Sequence, residues 1–522
     1  MSAIVTDQLR ILNAKKFIEE ASSANNSYYA FVGLTNPEFY DPNWDEDPVQ
    51  PRDSFDDENH VWDTIIGLKK INPEDIKYVV KKNFWSSGTT YDMYKHNITR
   101  DNLSQPSEST SLYSSNYYVV NKDYKVYICL QNGSDPENAN GRPSLDEPLF
   151  SDLEPREAGN SGDGYIWKYL FTIPPNDIIK FDTLDYITIP IDWETNEEYQ
   201  AIRNNAINGG QLKVAVIKDR GLNLGDPGRI YTGIKIIGDG QGAEATIVIS
   251  SQSTVESVII SKGGSGYSYA KIDLSTGNFP SSSTGNNPEI DIIIPPQYGH
   301  GYNIYRELGT TKVLLFTQIK NNLENPDFVV GNKIAQVGII ANPLEFNSNQ
   351  LLNKNQASNL KALKLIGVNQ PNDYQNATFT INSEITQTVS TGVTAYGKII
   401  SYDKNTGVLK YSQDRTLFGY NSELFNQDYL NNDRLVEFTS SPGTGGSLEV
   451  TGSSVNLQIN DQFNGNTESI NNKNYYFGQI FVNGVANPEV KKHSGDLIYI
   501  DNRPSITRSI NQREDIKIVL QF

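Results

Sequence analysis

Cysteine is almost missing. Cys129 is the only one in 522 residues, so the chain forms no internal disulfide and offers no thiolate cluster to a metal. Histidine is nearly as scarce: only His60, His96, His300 and His493 occur, and none stands in an H-E-x-x-H pair or another close ligand motif. No run of about 18 apolar residues occurs, which argues against stable insertion of a helix into a membrane. The opening MSAIVTDQLRILNAKKFIEEA lacks the apolar core of a signal peptide, so folding in a reducing cytoplasm is expected. Positive charge is in deficit too, with 44 Lys and Arg against 62 Asp and Glu, a formal net charge of −18. That balance opposes direct nucleic-acid binding and adhesion to anionic membranes, which need Lys and Arg focused on one face.

What is present is β-forming and hydroxyl-rich: 30 Tyr and 40 Gly, with abundant Asn and Ser. A chain this long exceeds a single core, because cores seldom grow beyond about 300 residues. From Thr6 to Ala21 the residues Ile11, Ala14, Phe17, Ile18 and Ala21 share one helical face, while Leu9 falls on the polar side. A strand follows at 27–33, then an acidic, turn-rich stretch from Asn36 to Asn59. YYVVNKDYKVYICL at 117–130 reads as two strands about an Asn121-Lys122-Asp123 turn. The aromatic segment 163–182 places Tyr165, Trp167 and Tyr169 on one strand face before Pro174-Pro175 ends it.

Short β-branched strands punctuated by glycine mark 211–296 as a small β module, and a second occupies 370–480. In the second, AYGKIISYDKNTGVLKYS at 395–412 is a hairpin turning at Lys404 to Gly407, and the Asn-rich run 460–475 reads as surface loop. The segment 495–522 reads as strand, turn, strand, with the turn at Asp501-Asn502-Arg503-Pro504 and the second strand carrying Ile516, Ile518, Leu520 and Phe522. The expected fold class is mainly β with minor α: a multidomain β-sandwich framework with two inserted β modules and an N-terminal amphipathic helix. Its segments are 1–131, completed by 481–522; a linker and central aromatic segment at 132–210; the module 211–296; a framework segment at 297–369; and the module 370–480.

Chemistry is hard to find. His300 lies between Gly299 and Gly301 with Glu307 seven residues on, a spacing that suits a locally bonded imidazole in a tight turn. The series Asp41, Asn43, Asp45, Asp47 has calcium-loop spacing, but Glu46 replaces the sixth-position glycine and Arg52 the twelfth-position carboxylate. Gly238-Asp239-Gly240-Gln241-Gly242 lacks the lysine and following helix of a phosphate loop. Asp163 and Asp177 are the one carboxylate pair worth considering for glycoside hydrolysis, with nothing in the sequence to bring them together. No cofactor, metal or catalytic residue is expected. A receptor-binding or adhesion protein and a glycan hydrolase stand as alternatives to a scaffold.

Several segments resemble a known family. AIVTDQLRILNAKKFIE with YYAFVGLTNP, Lys82 to Trp85, Asp163 to Tyr169, Gly299-His300-Gly301 with Glu307-Leu308-Gly309, and Tyr499 to Arg503 with Ile506-Thr507-Arg508 are similar to the baseplate wedge subunits encoded by gene 8 in T-even-like contractile-tailed bacteriophages. The resemblance implies a noncatalytic virion protein of the tail baseplate, assembled in the host cytoplasm and working as a homodimer. It would bridge other baseplate wedge proteins, contact fibre-attachment proteins, and help couple baseplate rearrangement to sheath contraction. This chain is longer than the familiar form, and the excess falls in the two modules. Because aromatic and Arg side chains anchor such surfaces, the candidate interface residues are Trp85, Tyr165, Trp167, Tyr302, Tyr305, Arg306, Arg503 and Arg508. About half are expected to fill the core instead.

Overall fold

The computed structural model describes residues 3–34, 44–208, 211–320, 328–413, 436–509 and 512–522. It is mainly β, and the strand pairs described below are all antiparallel. The chain forms two compact units: Met1–Phe17 with Lys77–Leu314 and Val519–Phe522, and Ile18–Ile76 with Leu315–Ile518. The expected N-terminal helix is present at Asp7–Ala21. Ala14, Ile18 and Ala21 are buried and Ile11 and Phe17 half-buried, whereas Leu9 and Leu12 are 46% and 48% exposed.

In the first unit a four-stranded sheet runs in the order Tyr118–Val120, Lys125–Asn132, Tyr165–Thr172, Arg156–Glu157. Its first turn forms where expected, because the Asn121 side-chain oxygen accepts the N–H groups of Asp123 (3.0 Å) and Lys125 (2.9 Å). Strand alternation then turns Tyr165 and Trp167 inward, where their rings stack at 5.3 Å and 15°. Pro174 caps the helix Pro175–Phe181, which starts as soon as the strand stops.

The glycine-rich segment is a separate sheet, ordered Val255–Ser265, Gln241–Ile249, Ile230–Gly238, Ala270–Ile272, beside the pair Ala215–Asp219 and Glu289–Ile292. Ile234, Ala245, Ile247, Ile249 and Val255 alternate into its own core, and each fully buried Ile or Val contributes roughly 1.5–3 kcal/mol. The Gly238 to Gly242 stretch is the tip of a hairpin in this sheet. Asp239 accepts the Ser268 and Tyr269 N–H groups at 2.9 and 3.1 Å, and hydrogen bonds from Ser268 hold its carboxyl down at about 2. A Cβ on Gly240 would lie 2.5 Å from the Tyr267 ring, so the glycine allows close packing.

In the second unit a five-stranded sheet runs Gln356–Ser358, Ile65–Ile71, Tyr28–Gly33, Lys333–Ala341, Asp496–Thr507. Here three expectations need correction. The Asp501 to Pro504 stretch is no reversal: Asp496–Thr507 is one strand, and its register against Lys333–Ala341 slips between Ile506 and Asn502. Pro504 cannot donate to the ladder, so Arg503, Pro504 and Ser505 bulge out of it and the strand continues. The acidic stretch expected to be turn up to Asn59 contains the helix Phe55–Thr64, started by Ser54, whose hydroxyl accepts the Asp57 N–H at 3.2 Å. The Asn-rich run is a hairpin, Gly465–Ile470 with Lys473–Val482, because Asn471 and Asn472 adopt φ of +51° and +61°, the two left-handed positions of a type I′ turn. The hairpin Val393–Asp403 and Val408–Ser412 forms as expected around Gly407, and Leu363, Leu365, Ile385, Ile399, Leu409 and Tyr411 make the core of that module.

Candidate assembly surface

The segment 299–309 in the first unit is organised by three glycines. Gly299 and Gly301 both take φ of +91°, and a Cβ on Gly299 would sit 2.4 Å from the Ala206 carbonyl oxygen. Asn303 then caps the short helix Ile304–Leu308 by accepting the Arg306 N–H at 3.0 Å, and Gly309 ends it in the left-handed conformation. Glu307, on the inner face of that turn, bonds His300 Nδ1 at 2.5 Å and accepts the Gly301 N–H at 2.6 Å. Tyr117 donates to the Glu307 carbonyl at 2.5 Å, and Tyr94 meets the His300 ring edge-on at 4.7 Å.

Beneath this brace Lys168 is buried, donating to the Leu153 carbonyl at 2.7 Å and to Asn205 at 3.0 Å. Burial pushes its ammonium down to about 8 against the opposing pull of Glu307. These polar groups satisfy one another. Their effect is to lock the turn and leave Arg306 outside it, its backbone carbonyl taken by Tyr113 at 2.5 Å.

The eight candidate residues divide by exposure. Tyr165, Trp167, Tyr305 and Arg508 are buried, Trp85 and Tyr302 half-buried, and Arg306 and Arg503 exposed. Tyr302, Tyr305 and Arg306 come together beside Trp193: its indole N–H donates to the Tyr302 carbonyl at 3.0 Å, and its backbone N–H to the Tyr305 hydroxyl at 3.2 Å. Tyr165 is tied inside its sheet, accepting the Tyr91 N–H at 2.9 Å and donating to the Arg142 carbonyl at 2.7 Å. Trp85 donates to Ser144 at 3.1 Å. Arg503 and Arg508 belong to the second unit. Arg503 pairs with Asp501 at 2.5 Å on the surface, while Arg508 makes a two-pronged bond with Glu514 at 2.7 and 3.0 Å and donates to the Phe328 and Val329 carbonyls at 2.9 and 3.1 Å.

The other carboxylates considered from the sequence have local partners. Asp163 accepts the Leu145 and Tyr165 N–H groups at 2.8 and 3.0 Å, and Asp177 pairs with Lys77 at 3.2 Å. Asp45 bonds Ser505 and Lys333, each at 3.0 Å, while Asp41 and Asn43 lie outside the described residues. Among the described residues no group of three or more His, Cys, Asp or Glu is placed to hold a metal, and no helix is long and apolar enough to cross a membrane.

Two features escaped the sequence reading. His96 lines three clefts of the first unit, of about 650, 620 and 370 Å³; burial lowers its pKa, and its Nδ1 accepts the Ile294 N–H at 3.2 Å. Nothing in its local sequence marks it, since its partner is 198 residues away. Solvent also reaches Ile4, Val5, Leu9 and Leu12 along the first helix and the residues before it, and Tyr298 beside Tyr302. The misplaced Leu9 was the one visible sign of this apolar edge.

Comparison with known proteins falls partly on the sheet that carries Tyr165 and Trp167. The Phage-Gp8 family, described as bacteriophage T4 Gp8, matches residues 151–206. That stretch holds the strand Tyr165–Thr172, Trp193 and the Ala206 carbonyl against which Gly299 packs. The baseplate wedge protein gp8 of Enterobacteria phage T4 is 23% identical over 210 residues, 38% of this chain and 63% of that protein. The match therefore spans under two thirds of the relative's length. The chain is thus similar to a baseplate wedge protein of a bacteriophage.

Proposed function

We propose that the chain is a noncatalytic structural subunit of a phage tail baseplate wedge. It bridges neighbouring wedge proteins, pairs with a second copy of itself, and helps couple baseplate rearrangement to sheath contraction. The similarity to the T4 baseplate wedge protein, with a family match over 151–206 that includes the strand Tyr165–Thr172, carries this reading. Two features favour it. Titratable groups such as His300, Glu307 and Lys168 are spent on internal bonds, as a rigid connector requires, and exposed apolar side chains and Arg306 offer anchors for partners.

The test is reconstitution. The full chain, mixed with the other wedge proteins of its phage, should enter a defined complex seen by sedimentation and cryo-electron microscopy, burying about 800 Å² or more per partner. A chain that stays monomeric and is dispensable for wedge assembly would sink the proposal.

A further inference from the structure

The 620 Å³ cleft of the first unit is lined by His96, Ile207, Tyr267, Ile294, Tyr298 and Arg306, and carries no carboxylate of its own. The Arg306 guanidinium is exposed and makes no ion pair or hydrogen bond among the described residues. His96 is held neutral with its Nδ1 accepting from Ile294, so its Nε2 carries the proton, and that N–H has no partner among the described residues. Two donors thus face a cleft without an acceptor charge, in a chain whose net charge is −18. The walls are apolar: Tyr267 and Ile294 are buried, while Ile207 and Tyr298 are 50% and 53% exposed. In the neighbouring cleft that shares His96, the cations Lys95, Lys218 and Lys271 stand with Glu289 and Asp291, and Lys95 is balanced by Asp92 and Asp291. Arg306 and His96 also line the 370 Å³ cleft, where Asp7 stands; Asp7 pairs with Arg10 at 3.9 Å, and among the described residues no ion pair joins it to Arg306.

We infer that this cleft docks an extended segment of a neighbouring baseplate protein in which an Asp or Glu lies beside an apolar side chain. Arg306 takes the carboxylate, in one- or two-pronged geometry, and His96 Nε2–H a second oxygen of the same segment. The apolar side chain seats between Tyr298, Ile207 and the buried ring of Tyr267. A polypeptide fits better than a saccharide because the apolar side chains Ile207, Tyr267, Ile294 and Tyr298 provide the recesses, while the Gln211 amide is already spent on the Tyr267 backbone at 2.7 and 2.8 Å and Ser268 is bonded to Asp239. The turn explains how the anchor is aimed: Gly299, Gly301, Asn303 and Glu307 fix the backbone of a residue whose own side chain they leave untouched. This inference rests on the structural role proposed above and adds the chemistry of one partner.

The test uses the full chain with the photo-crosslinker p-benzoylphenylalanine in place of Tyr298, assembled with the other wedge proteins and analysed by mass spectrometry. The expected product joins position 298 to a partner peptide holding an Asp or Glu within a few residues of an aliphatic or aromatic side chain. In parallel, R306E should weaken binding of that partner by about 30-fold. Reversing the partner's carboxylate to Arg should restore binding to R306E and not to wild type, a result that misfolding could not produce. If no wedge complex forms with wild type, the proposed function fails. If the complex forms but position 298 crosslinks to nothing, to a second copy of this chain, or to a peptide without a carboxylate, the docking inference alone is overturned. N-acetylneuraminic acid, titrated as a free acidic sugar, should not displace the crosslink; displacement at a saturating concentration would identify the cleft as a saccharide site and also overturn it.

Discussion

Arg508 is the residue whose removal should damage the second unit most. Its side chain is fully buried and carries four bonds: two to Glu514 and one each to the Phe328 and Val329 carbonyls. In R508A the Glu514 carboxylate, only 12% exposed, loses its counter-charge, and removing one member of a buried pair costs about 3–5 kcal/mol. The two carbonyls lose their donor and the aliphatic stem its packing, so a total of about 5 kcal/mol is expected. R508L/E514L removes both charges together; the stranded carboxylate disappears and the remaining cost is the two carbonyls, about 2 kcal/mol. The assay is urea unfolding of the full chain, followed by hydrogen exchange at amides in Lys333–Ala341, a strand wholly within the second unit. A loss under 1 kcal/mol in R508A, or a double variant no better than the single, would show that Arg508 does not hold the end of that sheet.

Three further outcomes follow from the same geometry. Lys168 titrates at about 8 in the folded chain and at its ordinary 10.5 when unfolded, so the unfolded state binds more protons between those values and stability should rise from pH 8 to pH 10 by about 2 kcal/mol. Buried tyrosines such as Tyr113, pushed up to about 12 by burial, act oppositely above pH 10; K168M should flatten the rise below pH 10 in thermal scans and leave the later fall. Gly299→Ala places a Cβ 2.4 Å from the Ala206 carbonyl at a φ of +91°, and should cost about 2–4 kcal/mol and raise exchange at the Gly301 amide; an unchanged melting curve would refute the close approach. Asn472→Gly should stabilise the second module by up to about 1 kcal/mol, whereas Asn472→Val should cost a similar amount or more, since φ there is +61°; equal denaturant midpoints would argue against the type I′ turn.

Local chemistry made much of the fold legible. The Asn121 turn, the Lys404 to Gly407 hairpin and the first helix could be read because a side chain or a glycine encodes each within a few residues. The same locality explains the errors. Asn471-Asn472 turns like Asn-Gly, but in an Asn-rich run it looked like loop, and Arg503-Pro504 looked like a reversal where a bulge keeps the strand paired to its neighbour. Of the candidate interface residues, residue type alone could not separate Tyr305, whose hydroxyl is bonded to the Ile191 carbonyl at 2.8 Å, from Arg306 beside it, whose side chain is exposed.

The sequence by itself determined that this is a β-rich chain without disulfides, with an acidic surface and segments similar to a contractile-tail baseplate protein, because composition, alternation and short motifs are properties of neighbouring residues. Only the tertiary structure decided which residues meet. Residues 18–76 join 315–518 in one unit, Ile294 fixes His96 from 198 residues away, and Arg508 is enclosed by Glu514 and two carbonyls some 180 residues earlier. Such contacts form when distant segments exclude water together, and no local pattern records which partner a buried charge will find.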